Sequence, residues 1–216
     1  MRTSTRWTVA TLTVVAALLV ALAGQLRESS SPPDGEPPAP QAGRTHRDAD
    51  TAEALAGPRR QAALPACPVP RGGAGPEKLR DVVVECAADG SPLNVGRTLA
   101  DRAVVLNLWA YWCGPCAEEL PAMATYQQRV GDAVTVVTVH QDENETAGLL
   151  RMAELGVHLP VLQDGRRSIA AALALPNVMP ATVVLRRDGS VAEVLPRPFA
   201  TADEIAAAVR SALADR

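Results

Sequence analysis

Apolar residues are distributed along this chain in three regimes. From Trp7 to Leu26 the sequence is uncharged and rich in Val and Leu, with Arg2 and Arg6 before it and Arg27 and Glu28 after it. From Arg27 to Ala62 the only large apolar residue is Leu55, and prolines recur at positions 32, 33, 37, 38, 40 and 58. Beyond Leu64 apolar residues return in periodic groups. Asp81 to Cys86, the turn Ala88-Asp89-Gly90-Ser91 and Pro92 to Val95 predict a β-hairpin. Val104 to Leu108 is a continuous apolar run, the pattern of a strand buried on both faces. Leu120, Met123, Tyr126 or Gln127, and Val130 recur at helical spacing, with Pro121 inside the segment and expected to kink the helix rather than end it. Val134 to Val139 predicts a second buried strand, ending in His140-Gln141-Asp142. Asn144 to Leu155 predicts a helix stopped by Gly156, and Arg166 to Leu175 a shorter one ending at Pro176. Ala181 to Leu185 and Val191 to Leu195 predict two strands joined by a turn with Asp188-Gly189 at its centre. Thr201 to Glu204 has capping-box spacing and opens a helix with Ile205, Val209 and Leu213 on one face.

Alternating strands and helices that finish in a hairpin and a helix imply an α/β fold: a mixed central sheet with helices on both faces, extended by an N-terminal β-hairpin. The 216 residues, 47% of them hydrophobic, suit one domain of ordinary size. The predicted organisation is a signal segment over 1–26, a disordered Pro/Ser/Gly-rich linker over 27–62 and the folded domain over 63–216. The signal segment is just long enough to span a bilayer, and its flanking arginines orient the remainder outside the cytoplasm. Ala21-Leu22-Ala23 offers cleavage as the alternative, which would leave a secreted protein. The linker holds too little apolar surface to offset its ordering entropy. A net charge of -3 with interspersed signs excludes a nucleic-acid footprint.

The candidate chemistry lies in Trp112-Cys113-Gly114-Pro115-Cys116, between the first buried strand and its helix. A thiol at a helix N-terminus faces unpaired backbone N–H groups and the positive end of the helix dipole, which favour the thiolate. The competing reading, a metal half-site, lacks a second C-x-x-C or a His pair at zinc-ligand spacing. Neither a metal nor a cofactor is therefore expected. His140 and His158 are assigned no chemistry.

From Asp81 to Arg216 the chain resembles the thioredoxin superfamily, and within it the exported TlpA/ResA-like (DsbE-like) thiol-disulfide oxidoreductases. Trp112 to Cys116 is identical to the thioredoxin active-site pentapeptide. Pro121 matches the family's helix proline, and Pro180, ahead of Thr182 to Leu185, its cis-proline. Glu119 in Glu119-Leu120-Pro121 matches the signature of the TlpA/ResA branch, and the terminal strand, turn, strand and helix match the family's ending. Asn107 stands where thioredoxin has a buried Asp, and the same branch resembles this chain in that respect.

The resemblance implies a mechanism and its residues. Cys113 would be the nucleophile and Cys116 the resolving thiol, with Gly114 and Pro115 holding the sulfurs in range. Glu119, three residues beyond Cys116 on the same helical face, would exchange a proton with it. Pro180 would align an extended substrate strand bordered by Met179. Trp112 would be a packing residue or a substrate contact, and Trp109 a core residue. Export and an even cysteine count pair Cys67 with Cys86 as a structural disulfide; a second redox pair feeding Cys113 and Cys116 is the alternative. The Gly-Pro dipeptide is that of thioredoxin, at about -270 mV against about -120 mV for DsbA, which favours a reductant. The resemblance further implies a monomer acting on exported proteins with Cys pairs, apocytochrome c among them, and recharged by a transmembrane carrier of the CcdA/DsbD type. Alternatives are a DsbE-like oxidant and a non-enzymatic tethered binding module or haem chaperone. A peroxiredoxin-type peroxidase is disfavoured, because no Thr-x-x-Cys with a preceding Pro is present.

Overall fold

The strand Val104–Trp109 is buried at every position, because alternate side chains enter two separate cores. Val104, Leu106 and Leu108 belong to one core, Val105 and Trp109 to the other. The computed structural model describes residues 50–73 and 75–214. In chain order its elements are α1 (Ala52–Ala62), β1 (Val83–Cys86), β2 (Pro92–Asn94), α2 (Val95–Thr98), β3 (Val104–Trp109), α3 (Gly114–Val130), β4 (Thr135–His140), α4 (Glu145–Leu155), β5 (Val161–Gln163), α5 (Ser168–Ala172), β6 (Ala181–Leu185), β7 (Val191–Leu195) and α6 (Ala202–Ala214). The strands form one sheet in the order β2-β1-β5-β4-β3-β6-β7. The pairs β3/β4 and β4/β5 are parallel, and β1/β2, β1/β5, β3/β6 and β6/β7 antiparallel. Helices α1, α3, α4 and α6 close one core through Leu55, Met123, Leu149 and Ile205, while Val95 of α2 and Ile169 of α5 enter the other. The mixed sheet with helices on both faces and an added N-terminal hairpin is therefore as expected.

Three expectations are corrected. The linker does not extend to Ala62: α1 is a capped helix, with Thr51 Oγ1 accepting from Ala54 N, and Leu55 and Ala62 are buried. Arg59 anchors it, Nη2 donating to Glu145 Oε1 at 3.0 Å and Nε to the Ala87 carbonyl at 3.2 Å. Asp50 Oδ1 accepts from Thr146 N and Oγ1. One leucine and two polar anchors offset the low helix propensity of Gly57 and Pro58. The second correction is β5, which is absent from the expected order; it joins β1 to β4. In the third, Val95 does not end a strand. It opens α2, capped by Asn94, whose Oδ1 accepts from Arg97 N at 2.9 Å.

Helix α3 runs through Pro121 to Val130. The signal segment over 1–26, and the linker up to residue 49, lie outside the described residues. Among the described residues no helix is long and apolar enough to cross a membrane.

Candidate redox site

The Cys pair sits where chain direction and helix geometry concentrate reactivity. β3 ends at Trp109, and Cys113 becomes the N-cap of α3, with Gly114 and Pro115 as its first residues. Proline is tolerated there because the first-turn N–H groups have no intrahelical partner. Cys113 Sγ accepts from Cys116 N at 3.2 Å. The two sulfurs are bonded at 2.01 Å, with Cα atoms 5.3 Å apart. Cys113 is 6% exposed and Cys116 fully buried, so an incoming thiolate reaches Cys113 first. The Met179–Pro180 peptide bond is cis. Antiparallel pairing of Leu108 with Ala181 sets Pro180 beside Trp109, at the end of β3 from which the Cys loop departs. Met179 packs against the core that contains both cysteines.

Glu119 lies one helical turn beyond Cys116 and is fully buried. Its Oε2 accepts from Asn107 Nδ2 at 2.7 Å, and its Oε1 from the Phe199 backbone N–H at 3.0 Å. Burial raises its pKa from 4.5 to about 7, against the opposing pull of these two hydrogen bonds and of Arg197. Burial dominates because it removes water from the charged form, and two hydrogen bonds replace only part of that solvation. The result is a carboxyl group that both gains and loses a proton near neutral pH. Asn107 Nδ2 also reaches Thr182 Oγ1 at 3.5 Å. The Phe199 amide is not legible in the sequence, since a backbone donor in the loop before α6 leaves no mark in residue type.

Trp112 is 58% exposed, and its Nε1 donates to Asp142 Oδ2 at 2.9 Å. The sequence placed Asp142 at a strand end but did not connect it to Trp112. Trp109 is buried, as expected, with its ring 4.8 Å from that of His140. His140 is buried as well, and desolvation lowers its pKa, which keeps the ring neutral. His158 is exposed beside the Ala63 carbonyl. Cys67 and Cys86 are joined, with Sγ atoms 2.07 Å apart. Cys67 packs against the core built on Leu106 and Val137, whereas Cys113 and Cys116 belong to the core of Val105 and Trp109.

A mixed sheet whose central strand delivers a C-x-x-C disulfide to a helix N-terminus, with a cis-proline at the adjoining strand, defines a thioredoxin-like domain. The chain belongs to the Redoxin family, whose model matches residues 73–209. It is 37% identical over 67 residues to thioredoxin of Bacillus subtilis, covering 31% of this chain and 64% of that protein. It is 28% identical over 98 residues to the thiol-disulfide oxidoreductase ResA of Bacillus thuringiensis, covering 45% of this chain and 56% of that one. The chain thus spans somewhat over half the length of these curated relatives. Among solved structures, it is similar to a secreted Mycobacterium tuberculosis disulfide oxidoreductase homologous to E. coli DsbE. That match has a TM-score of 0.54 at 26% identity and covers 62% of this chain and 98% of the other. The expected TlpA/ResA-like branch agrees with the ResA and DsbE-like relatives.

Proposed function

We propose that this protein is a thiol-disulfide oxidoreductase of the ResA/DsbE type, acting outside the cytoplasm on exported proteins with Cys pairs. The observation that carries this reading is the pairing of Cys113-Cys116 at the start of α3 with a buried Glu119 titrating near pH 7 one turn beyond. In the reducing direction the Cys113 thiolate attacks a substrate disulfide, forming a mixed disulfide and releasing one substrate thiolate. Cys116, giving its proton to Glu119, then attacks Cys113 Sγ, releases the second substrate thiolate and closes the Cys113-Cys116 bond. Two electrons pass to the substrate. A proline at position 180 offers a carbonyl with no competing N–H beside an approaching strand, and Met179 borders it. Trp112 takes the role of an exposed contact.

The thioredoxin dipeptide Gly114-Pro115 favours the reductant over the DsbE-like oxidant. Apocytochrome c is then one substrate, and a transmembrane carrier of the CcdA/DsbD type recharges the pair. The basic-flanked apolar segment supports membrane tethering of a monomer, with secretion after Ala23 as the other route. We assign Cys67-Cys86 a structural role, because Cys67 packs on the opposite core from the redox pair and thiol exchange requires sulfur-to-sulfur contact.

Full-length protein with Cys116→Ser, reduced and exposed to exported proteins, is expected to accumulate mixed disulfides through Cys113, while Cys113→Ser abolishes insulin reduction. If neither substitution alters capture or activity, the molecule is a binding module rather than an enzyme.

A further inference from the structure

At the sheet edge that carries the Cys pair, three loops converge on one arginine. Arg167 precedes α5 in the left-handed conformation, with φ at 57°, and its backbone N–H donates to the Asp164 carbonyl at 2.9 Å. The buried Asp164 carboxylate holds that turn in place by accepting from Ser168 N and Ile169 N, each at 2.8 Å. From this fixed base the guanidinium reaches in two directions. Nε donates to Gln141 Oε1 at 3.3 Å, and Nη1 to Asn177 Oδ1 at 2.6 Å.

Both targets lead to the reactive edge. Gln141 is buried, and its backbone N–H donates to the Trp109 carbonyl at 2.9 Å, where β3 ends and the Cys loop begins. Its neighbour Asp142 holds Trp112. Asn177 lies in the segment that runs through Val178 and Met179 into the cis peptide bond of Pro180. Trp112 and Val178, exposed by 58% and 42%, stand at the two ends of this chain of bonds. Because a guanidinium forks in a plane and stays charged, it can serve both acceptors at once, which an ammonium on a flexible stem cannot do with the same geometry.

We propose that Arg167 is a positioning residue for protein substrates: by tying Asn177 to Gln141 it fixes the 176–179 segment relative to the Cys113 loop. An extended apolar segment bearing the target disulfide then meets Trp112 and Val178 at a set spacing. This rests on the oxidoreductase reading. Arg167 touches no sulfur, so its loss weakens engagement of a polypeptide without slowing attack on a small disulfide.

The test compares full-length wild type, Arg167→Ala, Arg167→Lys and Asn177→Ala with two substrates: insulin, and the small aromatic disulfide DTNB. Arg167→Ala is expected to raise the KM for insulin about tenfold, the effect of losing hydrogen bonds to a charged group, with kcat and the DTNB rate within about twofold of wild type. Asn177→Ala, at an exposed position, reproduces the KM effect, and Arg167→Lys falls between. An unchanged insulin KM in Arg167→Ala and Asn177→Ala overturns the proposal, as does a parallel loss on DTNB, which marks general damage. Wild-type protein inert towards both substrates overturns the oxidoreductase reading itself and this proposal with it, and is recognised without any variant.

Discussion

Glu119 concentrates the chemistry of the site in one titration. Its carboxyl binds a proton more tightly in the folded chain than in the unfolded one, since burial raises its pKa from 4.5 to about 7. The corresponding stabilisation is complete below the unfolded value and is lost as pH rises towards 7. Relative to Glu119→Gln, the unfolding free energy of the oxidised wild type should fall by about 3 kcal/mol between pH 4 and pH 8. Parallel urea-unfolding profiles across that range contradict the account. Part of this site is legible in the sequence: the three-residue step from Cys116 puts Glu119 on the thiol's face, and Asn107 stands out as an amide where an acid is expected. The remainder is not, because the Phe199 N–H and the Thr182 hydroxyl approach from segments far along the chain. The sequence also leaves the burial of Glu119 open, with the charged Glu118 beside it. That burial comes from tertiary packing: Phe199, whose backbone N–H donates to Glu119, lies in the same buried core as Leu120 of α3.

Among the elements, α1 separates what pattern reveals from what tertiary contact adds. The single leucine in a proline-punctuated stretch reads as linker, and no period of apolar residues contradicts that reading. Yet Leu55 is 2% exposed in the main core, and the Arg59 to Glu145 pair lies largely out of solvent. Leu55→Ala should therefore lower the unfolding free energy by about 3 kcal/mol, the usual cost of emptying a buried leucine site. A loss below about 0.5 kcal/mol, typical of surface positions, would return α1 to the tether. β5 is not legible in the sequence for a related reason: three residues after Pro160 are too few to establish a period, and their identity as a strand comes from β1 and β4 on either side. The long runs, β3, β4, β6 and the helices α3, α4 and α6, were readable because each repeats its apolar spacing over several residues.

At the scale of the described residues, one seven-stranded sheet carries the Cys113-Cys116 disulfide at the end of β3. β3 and its neighbours hold the Cys113 loop, the cis-proline edge and the Glu119 face in fixed register, while the Cys67-Cys86 bond fastens the segment after α1 to the hairpin. The arrangement sets the Cys113-Cys116 pair, which we propose exchanges with substrates, apart from the Cys67-Cys86 pair, which we assign to holding the N-terminal segment. The direct measurement is an equilibrium titration of the full-length protein in glutathione buffers, with each cysteine pair followed by alkylation and peptide mass. Cys113-Cys116 is expected to equilibrate below about -180 mV, more reducing than protein disulfide isomerase, while Cys67-Cys86 remains closed. A Cys113-Cys116 pair that fails to equilibrate, or that does so above about -180 mV, contradicts it.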